Sequence, residues 1–417
     1  MGTSLRPFLI VGSLVVALVN SIGWAQCDYE IFTFVPPPPC QASPVNSTAI
    51  NNLGHVSGFY SPCLGYDRAF FWSPESGFIV LGLGPQILSR AMDLNDDDQV
   101  AGFVVIANVG QRWFRWDAGE VAILNPLPPF PPPYVSPPQT ATANGIGSDG
   151  TVVGGWGNFQ VGPNPLPLTW KPGSEPVSLF ETLGYPNGTA EAMNGLGQIA
   201  GRVTDPTVLF TERAFLLTGR SVMMFPPAPN ALTSRANALS SNGRVAGRGD
   251  ALARNGSVLM RAFYWDGSSL FDIGLGPIPS AEPPGLDPGG VNALGQVVGA
   301  GSSGRAFLWQ NGQLYNLEDL VVDTGSACYL GSSGINDRGQ IIVERFATGG
   351  TKGAILTPIR TRSGDATIDC KVDASDIAAL FEFWGKQYSF PNGPADLDNN
   401  GVVDGYDLGM ILGDWGD

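Results

Sequence analysis

The sequence predicts a mainly β protein, a seven-bladed β-propeller of four-stranded blades followed by a small all-α unit. Three observations support this prediction. A Gly-x-Val/Ile-x-Gly motif recurs along the chain, and its final glycines, called marker glycines below, are spaced 44–52 residues apart. Each recurrence is accompanied by four short apolar runs, and a period of 40–50 residues with four strands is typical of propellers. The 56 Gly, the 35 Pro and the low charged fraction of 14% favour short strands and turns over long helices.

The fourth repeat shows the pattern of a predicted blade most clearly. Its first strand leads into a tight turn that starts at Asn194, where Gly197 supplies the positive φ. The second strand ends at the marker glycine Gly201, and the third is the Ala-Phe-Leu-Leu run after Arg213. A fourth strand follows. An open β-solenoid is the competing interpretation, but the uneven spacing of the repeats counts against it.

The two ends of the repeat region predict a closed ring. The seventh repeat stops near Arg360 without a fourth strand, and an unassigned strand at 29–35 precedes the first repeat. We therefore expect the N-terminal strand to complete the seventh blade, which would remove two exposed sheet edges.

The charge distribution and the N-terminal segment indicate where the protein is located and which partners it can bind. The net charge is -15, residues 364–417 alone carry -9, and no basic stripe exists, which excludes nucleic acid as a partner. Residues 1–25 have the form of a signal peptide, with Arg6, a twelve-residue apolar run and a small-x-small cleavage site ending at Ala25. Twelve residues are too few to span a bilayer, so we expect a secreted protein, extracellular or at the cell surface, that does not span a membrane.

The five cysteines suit an exported chain. Their spacing contains no Cys-x-x-Cys pair, so a zinc site has no support. Links between blades and links from second to third strands emerge on one face of a propeller, which makes Cys40 and Cys63 the expected disulfide pair among the open pairings. The odd count leaves at least one thiol unpaired.

Two acidic loops carry the clearest chemistry in the sequence. The second has oxygen ligands at positions 1, 3, 5, 7, 9 and 12 and Gly401 at position 6, which is the Ca²⁺-loop pattern of an EF-hand. Its candidate metal ligands are Asp396, Asp398, Asn400, the Val402 carbonyl, Asp404 and Asp407. A solvated acidic turn without a metal is the alternative interpretation.

An earlier copy of this loop lies 31 residues upstream. Thr367 at position 3 and Cys370 at position 6 are poorer choices than their counterparts, so we expect weaker binding or a lost site. The corresponding candidate ligands are Asp365, Thr367, Asp369, the Lys371 carbonyl, Asp373 and Asp376.

A short amphipathic helix is predicted after each loop. The apolar stripes at i, i+3, i+4 and i+7 predict that these side chains face a shared core, and Gly385 and Gly416 are expected to end the two helices. Because so small a core is weak, Ca²⁺ is expected to supply much of the folding energy. The stripes are Ile377, Leu380, Phe381 and Trp384, then Leu408, Ile411, Leu412 and Trp415.

The duplicated loop and helix resemble a type I dockerin, an EF-hand-like unit, over about residues 363–417. The resemblance implies Ca²⁺ as cofactor and docking to a cohesin-like or cell-surface partner, often in polysaccharide-degrading assemblies. In that family the two residues before the last ligand help to select the partner. At the matching positions this chain has Ala374, Ser375, Gly405 and Tyr406.

The predicted propeller, residues 26–362, resembles bacterial extracellular proteins with HAF repeats. The match is the Asn-x-x-Gly-Gln-Val-x-Gly pattern followed by x-Ala-Phe-Leu-Trp. The resemblance implies architecture and location but no activity. This chain has arginine where the family name implies histidine, at Arg68, Arg213, Arg261 and Arg305, and the simplest interpretation of these residues is solvation of a strand edge.

The sequence favours a protein without catalysis. The only histidine, His55, lies beside a turn glycine, so no Ser-His-Asp or Cys-His set is expected apart from it, and no catalytic residue is assigned. We expect a secreted binding or scaffold protein that presents a surface, with a glycan as one candidate ligand. The alternative is a polysaccharide-degrading enzyme, a glycoside hydrolase or lyase, which paired carboxylates in an axial pocket would favour. The acids available as such catalytic carboxylates are Glu181, Glu191, Glu212 and Glu318, and none belongs to a recurrent motif.

Overall fold

The structure is a computed structural model that describes most of the chain after the predicted signal peptide. The predicted leader, residues 1–25, lies outside the described residues. The described ranges are 27–84, 87–124, 140–157, 165–185, 187–205, 211–227, 231–252, 258–273, 285–322, 328–347, 350–388 and 393–415.

Seven antiparallel sheets of four strands form the propeller, as the repeats predict. In six of them the four strands follow one another in sequence, each paired with the next. Blades 1 to 3 contain β2 (Val45–Ile50), β3 (Val56–Tyr60), β4 (Arg68–Ser73) and β5 (Gly77–Val80); β6 (Leu88–Leu94), β7 (Val100–Ile106), β8 (Gly110–Asp117) and β9 (Glu120–Ile123); and β10 (Thr140–Ile146), β11 (Val152–Gly157), β12 (Leu166–Trp170) and β13 (Val177–Ser178). Blades 4 to 6 contain β14 (Gly188–Met193), β15 (Ile199–Asp205), β16 (Thr211–Thr218) and β17 (Ser221–Met224); β18 (Arg235–Leu239), β19 (Val245–Leu252), β20 (Val258–Trp265) and β21 (Leu270–Asp272); and β22 (Leu286–Val291), β23 (Val297–Gly301), β24 (Ala306–Gln310) and β25 (Gln313–Asn316).

The seventh blade confirms the predicted closure of the ring. Its strands β26 (Cys328–Ile335), β27 (Ile341–Ala347) and β28 (Gly350–Pro358) are completed by the N-terminal β1 (Tyr29–Phe34). β1 runs antiparallel to β28 through all six of its residues. The first and last strands of the propeller therefore share one sheet, which an open solenoid would not provide.

The marker glycines are required by close packing inside each blade. A Cβ on Gly58 would lie 2.1 Å from the Asn46 carbonyl oxygen and 2.9 Å from the ring of Phe70. The third-strand aromatic thus packs directly over the glycine, and four further blades repeat this contact at Gly102, Gly201, Gly247 and Gly299. In blade 3 the ring that meets Gly154 is that of Trp113 from blade 2. In the seventh blade Val343 takes this position, and there the inner strand β26 has two register shifts instead of one.

The recurrent turn asparagine has a second role that the sequence does not reveal. The Asn336 Oδ1 accepts hydrogen bonds from the backbone N–H groups of Arg338 (3.1 Å) and Gln340 (2.9 Å), as expected for a tight turn. Its Nδ2 donates across to the Asn51 carbonyl in blade 1, at 2.9 Å. Each such amide therefore joins one blade to the next. The equivalent bonds run from Asn51 to Asn95, Asn95 to Gly147, Asn194 to Ser240 and Asn292 to Asn336.

The C-terminal residues 363–415, called the tail unit below, contain two helices. The propeller contains two short helical elements, α1 (Phe180–Leu183) and a 3-10 turn (Leu317–Asp319). The tail unit contains α2 (Ala374–Phe383) and α3 (Gly405–Gly413). Gly385 follows α2 with a φ of 75°, as predicted, whereas α3 ends at Gly413, before the predicted stop, which lies outside the described residues. No helix among the described residues is long and apolar enough to cross a membrane.

The predicted apolar stripes are only partly correct. Leu380 and Ile411 are fully buried, but Phe381 and Trp384 are 58% and 46% exposed, and Phe383 is buried instead. The loops contribute to this core, because Val372 and Val403 are buried in the same cluster as Leu380, Phe383 and Ile411. The face that is buried is thus set by the loops as well as by the facing helix. Leu412 and Trp415 are likewise exposed.

Candidate calcium loops and axial cavity

The tail unit packs against the face of the propeller that carries the asparagine turns. Arg244 of blade 5 forms an ion pair with Glu382 of α2 at 2.6 Å. In blade 6, the Gln310 side chain donates to the Thr367 carbonyl at 3.0 Å. Ala293 of the propeller is buried in the same apolar cluster as the tail-unit core. These contacts place the two candidate metal loops beside the propeller.

Two disulfides are formed, and all five cysteines lie in the described part of the chain. Cys40–Cys63 is the pair expected from the topology, and Cys328 is left unpaired. The second disulfide, Cys27–Cys370, joins residues 343 positions apart and was not predicted. Cys370 occupies position 6 of the first loop, where glycine is usual, and it keeps the positive φ of that position at 61°. The side chain that looked like a poor choice for the loop anchors it to the propeller.

In the second loop, three predicted ligands converge. Carboxylate oxygens of Asp396, Asp398 and Asp407 all lie within 4.8 Å of one another. The Asp396 carboxylate accepts from the N–H groups of Asn400 (3.1 Å) and Gly401 (3.0 Å), which fixes its direction. The loop therefore holds several oxygen ligands in a small volume, an arrangement that could hold a hard cation.

The first loop repeats the backbone of the second. Asp365 accepts from the N–H groups of Asp369 (3.0 Å) and Cys370 (2.9 Å), and Asp376 accepts from those of Thr367 (3.0 Å) and Asp373 (2.8 Å). Position 3 is the difference, because the Thr367 hydroxyl donates to Asp376 at 3.1 Å instead of adding a carboxylate. The first loop thus has the same form but a smaller negative charge at its centre.

The remaining predicted ligands shape the loops and the helix starts. Asp373 caps α2 and Asp404 caps α3, each in a capping box with the last acid of its loop. The Asn400 Oδ1 accepts from the Val402 N–H at 2.8 Å, and the Asp369 Oδ1 accepts from the Lys371 N–H at 3.1 Å. In both loops these bonds join the side chain at position 5 to the backbone N–H at position 7.

Electrostatics in both loops fit a bound cation. Burial raises the pKa of Asp365 to about 6, and the nearby Asp376 and Asp369 add to the shift. Burial also raises the pKa of Asp396, with Asp407 contributing through its charge. Gathering carboxylates in this way is unfavourable unless a positive charge offsets their repulsion.

The residues that the dockerin resemblance links to partner selection lie at the first turns of α2 and α3. Ala374 and Gly405 are exposed, Ser375 is half-buried and Tyr406 is 75% exposed. With the exposed side chains of α2 and α3 described above, they give the tail unit an apolar, aromatic surface of its own.

An axial cavity of about 320 Å³ is lined by the inner strands of all seven blades. Each inner strand has a register shift, and the residue at the shift lines the cavity. Several of these side chains donate to a carbonyl of the next blade, for example Thr48 to Ala91 (3.1 Å) and Asn144 to Ala190 (3.0 Å). Glu191 differs, because it is an acid, and it forms an ion pair with Arg202 at 2.5 Å.

Three aspartates not singled out by the sequence also line this cavity. Asp96 and Asp337 both face the Asn52 amide nitrogen, at 3.1 and 3.4 Å, and burial raises the pKa of each. Asp337 also accepts from the Ala293 N–H at 2.7 Å, so its oxygens hold blades together. A sequence signal existed, since Asp96 and Asp337 each follow a recurrent turn asparagine. Asp93 accepts from the Ile146 N–H at 2.8 Å, and burial raises its pKa to about 7.

The free energy of unfolding should decrease as pH rises, because of the raised pKa of Asp93. Because its pKa is about 7 in the folded state and 3.8 ordinarily, the folded chain binds more protons between these values. The free energy of unfolding therefore falls as pH rises through this window and levels off above it. We expect Asp93→Asn to remove this slope and to stabilise the protein at pH 8 by about 1–3 kcal/mol, measured by denaturant unfolding across pH.

Asp149→Asn is the control for this prediction. Burial alone would raise the pKa of Asp149, but hydrogen bonds from Thr151 and Lys171 lower it overall. This substitution should give no stabilisation at pH 8. A pH slope that persists unchanged in Asp93→Asn would contradict the assignment.

Two of the four repeat arginines and the histidine have ion-pair partners, whereas the buried Nη1 of Arg213 has no hydrogen-bond partner among the described residues. Arg261 pairs with Asp272, and Arg305 pairs with Glu318, each beside the fourth strand of its own blade. His55 Nδ1 lies 2.7 Å from Asp98 of the next blade. Among the scattered acids, Glu212 pairs with Arg202 and Arg235, whereas Glu191 alone faces the axis.

Comparisons with solved structures return matches at low similarity, among them a β-propeller domain. No family model matches the chain, and the search of curated proteins finds no match. The β-propeller domain of the trilobed protease from Pyrococcus furiosus shares 9% identity, covering 76% of this chain and 94% of that one, with a TM-score of 0.48. The SapL1 lectin, solved with alpha methyl fucoside, shares 13% identity over 66% of this chain and 95% of its own, with a TM-score of 0.36. An ulvan lyase of polysaccharide lyase family PL25 shares 11% identity over 81% and 95%, with a TM-score of 0.38. None of these similarities transfers a ligand or an activity.

Proposed function

We propose that this chain is a secreted, non-catalytic β-propeller that presents a binding surface and is attached elsewhere through a Ca²⁺-binding, dockerin-like tail unit. One observation carries the proposal: the duplicated loops hold their carboxylates in matching geometry, and three of them converge in the second loop. Oxygen-only ligands in a twelve-residue loop suit Ca²⁺ among the common cations.

Calorimetric titration with Ca²⁺ tests the proposed binding of Ca²⁺ by the tail unit. Asp396→Ala removes a converging carboxylate, and we expect Ca²⁺ affinity at the stronger site to fall about 100-fold or more because a charged, position-1 ligand is lost. Asp365→Ala should affect only the weaker site. Asp28→Ala, an exposed acid outside the loops, is the matched control and should change nothing. Unchanged Ca²⁺ binding in Asp396→Ala would refute the site.

The exposed face of the tail unit supports a role in docking. Tyr406 lies at the first turn of α3 with three-quarters of its surface exposed, and Trp384 and Trp415 remain accessible at the helix ends. Aromatic side chains of this kind are enriched where protein partners bind. A cohesin-like protein is the partner class that the tail-unit pattern suggests, and a cell-surface protein is the broader class.

Export is supported by the cysteines. Two disulfides are compatible with an oxidising compartment, and Cys27 lies two residues after the proposed cleavage point at Ala25. Mass spectrometry of the secreted protein should find a mature N-terminus at Gln26.

The polar axial cavity favours a second candidate, a polysaccharide-degrading enzyme. Asp93 has a pKa near neutral, which suits a general acid or base, and Glu191 supplies a second carboxylate on the same cavity wall. Incubation of the secreted protein with a panel of polysaccharides separates the candidates. Sugar release or chain cleavage that is lost in Asp93→Asn and Glu191→Gln would establish the enzyme and overturn the non-catalytic proposal.

A further inference from the structure

A second cavity, of about 490 Å³, lies at the seam between blade 7 and the tail unit. The propeller contributes residues of the turn at Arg338 and of the segment after β28, and the tail unit contributes the start of the second loop. Arg338, Arg360 and Arg362 all line this cavity. Three arginines therefore line one cavity in a chain whose net charge is -15.

These arginines differ from most others in the molecule. Arg90, Arg202 and Arg244 all have carboxylate partners within ion-pair distance. Among the described residues, neither Arg338 nor Arg360 nor Arg362 forms an ion pair, and the buried Nη1 of Arg362 has no hydrogen-bond partner. A buried donor without an acceptor is costly, so a partner from outside the chain would be favoured.

The nearby acids have hydrogen-bond partners of their own. Asp365 acts on Arg360 through its charge, but its carboxylate accepts from the N–H groups of Asp369 and Cys370. Asp396 lines the same cavity, but its oxygens accept from N–H groups of its own loop. Asp414 lies within electrostatic reach of Arg362, yet its carboxylate accepts from Ser363 and Gly364. Two of the positive charges also act on each other: burial lowers the pKa of Arg338, and the charge of Arg360 adds to that effect.

The rest of the lining is suited to a polar ligand. Gln340, Thr357, Thr361, Ser363 and Asn399 offer amide and hydroxyl groups around the arginines. Planar guanidinium groups bind the oxygens of carboxylate, sulfate or phosphate in pairs, and this geometry is why arginine predominates at oxyanion sites.

We propose that the seam cavity binds a small oxyanion, a sulfate, phosphate or carboxylate group, held by Arg338, Arg360 and Arg362. The surrounding hydroxyl and amide groups allow that oxyanion to be carried on a polar molecule such as an acidic sugar. The site lies outside the axial cavity and the first loop, and it shares one wall with the start of the second loop through Asp396 and Asn399.

Calorimetric titration of the full chain with sodium sulfate, inorganic phosphate and glucuronate tests this site, with glucose as the uncharged probe. We expect saturable binding of at least one anion and none of glucose. Arg338→Gln, Arg360→Gln and Arg362→Gln should each weaken binding about tenfold, since each removes a charge-assisted hydrogen bond. Arg220→Gln, which removes an exposed positive charge from a turn of blade 4, should leave the affinity unchanged.

Two further measurements keep the result interpretable. Near-UV circular dichroism identifies a variant that fails to fold, and Arg362→Lys, which keeps the charge, should retain more binding than Arg362→Gln. Binding of one anion class alone supports the site and identifies the oxyanion. The proposal is overturned if the unmodified protein shows no saturable anion binding, or if the three Gln variants bind as well as Arg220→Gln does.

Discussion

Phe34→Ala is expected to destabilise the protein by about 3–5 kcal/mol, because it removes a buried aromatic that joins the two ends of the ring. Phe34 belongs to β1, which completes blade 7, yet its ring stacks on Trp72 of blade 1 with centroids 5.1 Å apart and lies 6.1 Å from Phe70. Only 4% of Phe34 is exposed. Denaturant unfolding followed by tryptophan fluorescence measures the loss.

Phe32 provides a matched control on the same strand. It is two residues away, faces the same side of β1 and also contacts Trp72, with centroids 5.3 Å apart, but it is 53% exposed. Because less of its surface is removed from water, Phe32→Ala should cost only about 1 kcal/mol. Equal losses for the two variants would show that closure of the ring does not depend on burial between blades 7 and 1.

The blades could be predicted because the signals that define them are local. A marker glycine, a tight turn and a third-strand aromatic occur within about one repeat, and the structure shows that all three pack inside one sheet. The link from Asn336 to Asn51 could not be predicted, because its two ends are 285 residues apart and either residue alone looks like an ordinary turn asparagine. The long-range consequence of a repeated residue appears only when the repeats are arranged in a ring.

The candidate metal loops could be predicted from local sequence, whereas the buried faces of the helices could not. The spacing from Asp396 to Asp407 is a local pattern, and the convergence of these side chains follows from it. Which side of α2 is buried depends instead on where the loops and the propeller pack. Phe383 is therefore inside and Phe381 outside, the reverse of what helical spacing alone suggests.

The seam cavity also depends on residues from separate parts of the chain. Arg338 belongs to the turn before β27, and Asp396 belongs to the second loop, so no local motif unites them. Only the packing of the tail unit on blade 7 brings them to one cavity.

Removal of the Cys27–Cys370 disulfide is expected to lower the free energy of unfolding more than removal of Cys40–Cys63. A cross-link stabilises mainly by restricting the unfolded chain, and the effect grows with the length of chain that it closes. The two bonds span 343 and 23 residues. We expect the variant with Cys27→Ser and Cys370→Ser to lose about 5 kcal/mol and the variant with Cys40→Ser and Cys63→Ser about 3 kcal/mol, measured by denaturant unfolding.

Position 370 allows the two roles of its side chain to be separated. Cys370 has a φ of 61°, a conformation that glycine adopts without strain, and it occupies the loop position where glycine is usual. Combining Cys27→Ser with Cys370→Gly should therefore remove the cross-link and lose most of the same stability, yet leave the first loop able to bind Ca²⁺ at least as well as before. If this variant instead kept its stability, the bond between the N-terminal strand and the tail unit would have no role in holding the fold together, and the cysteine at this position would have to be explained by the loop alone.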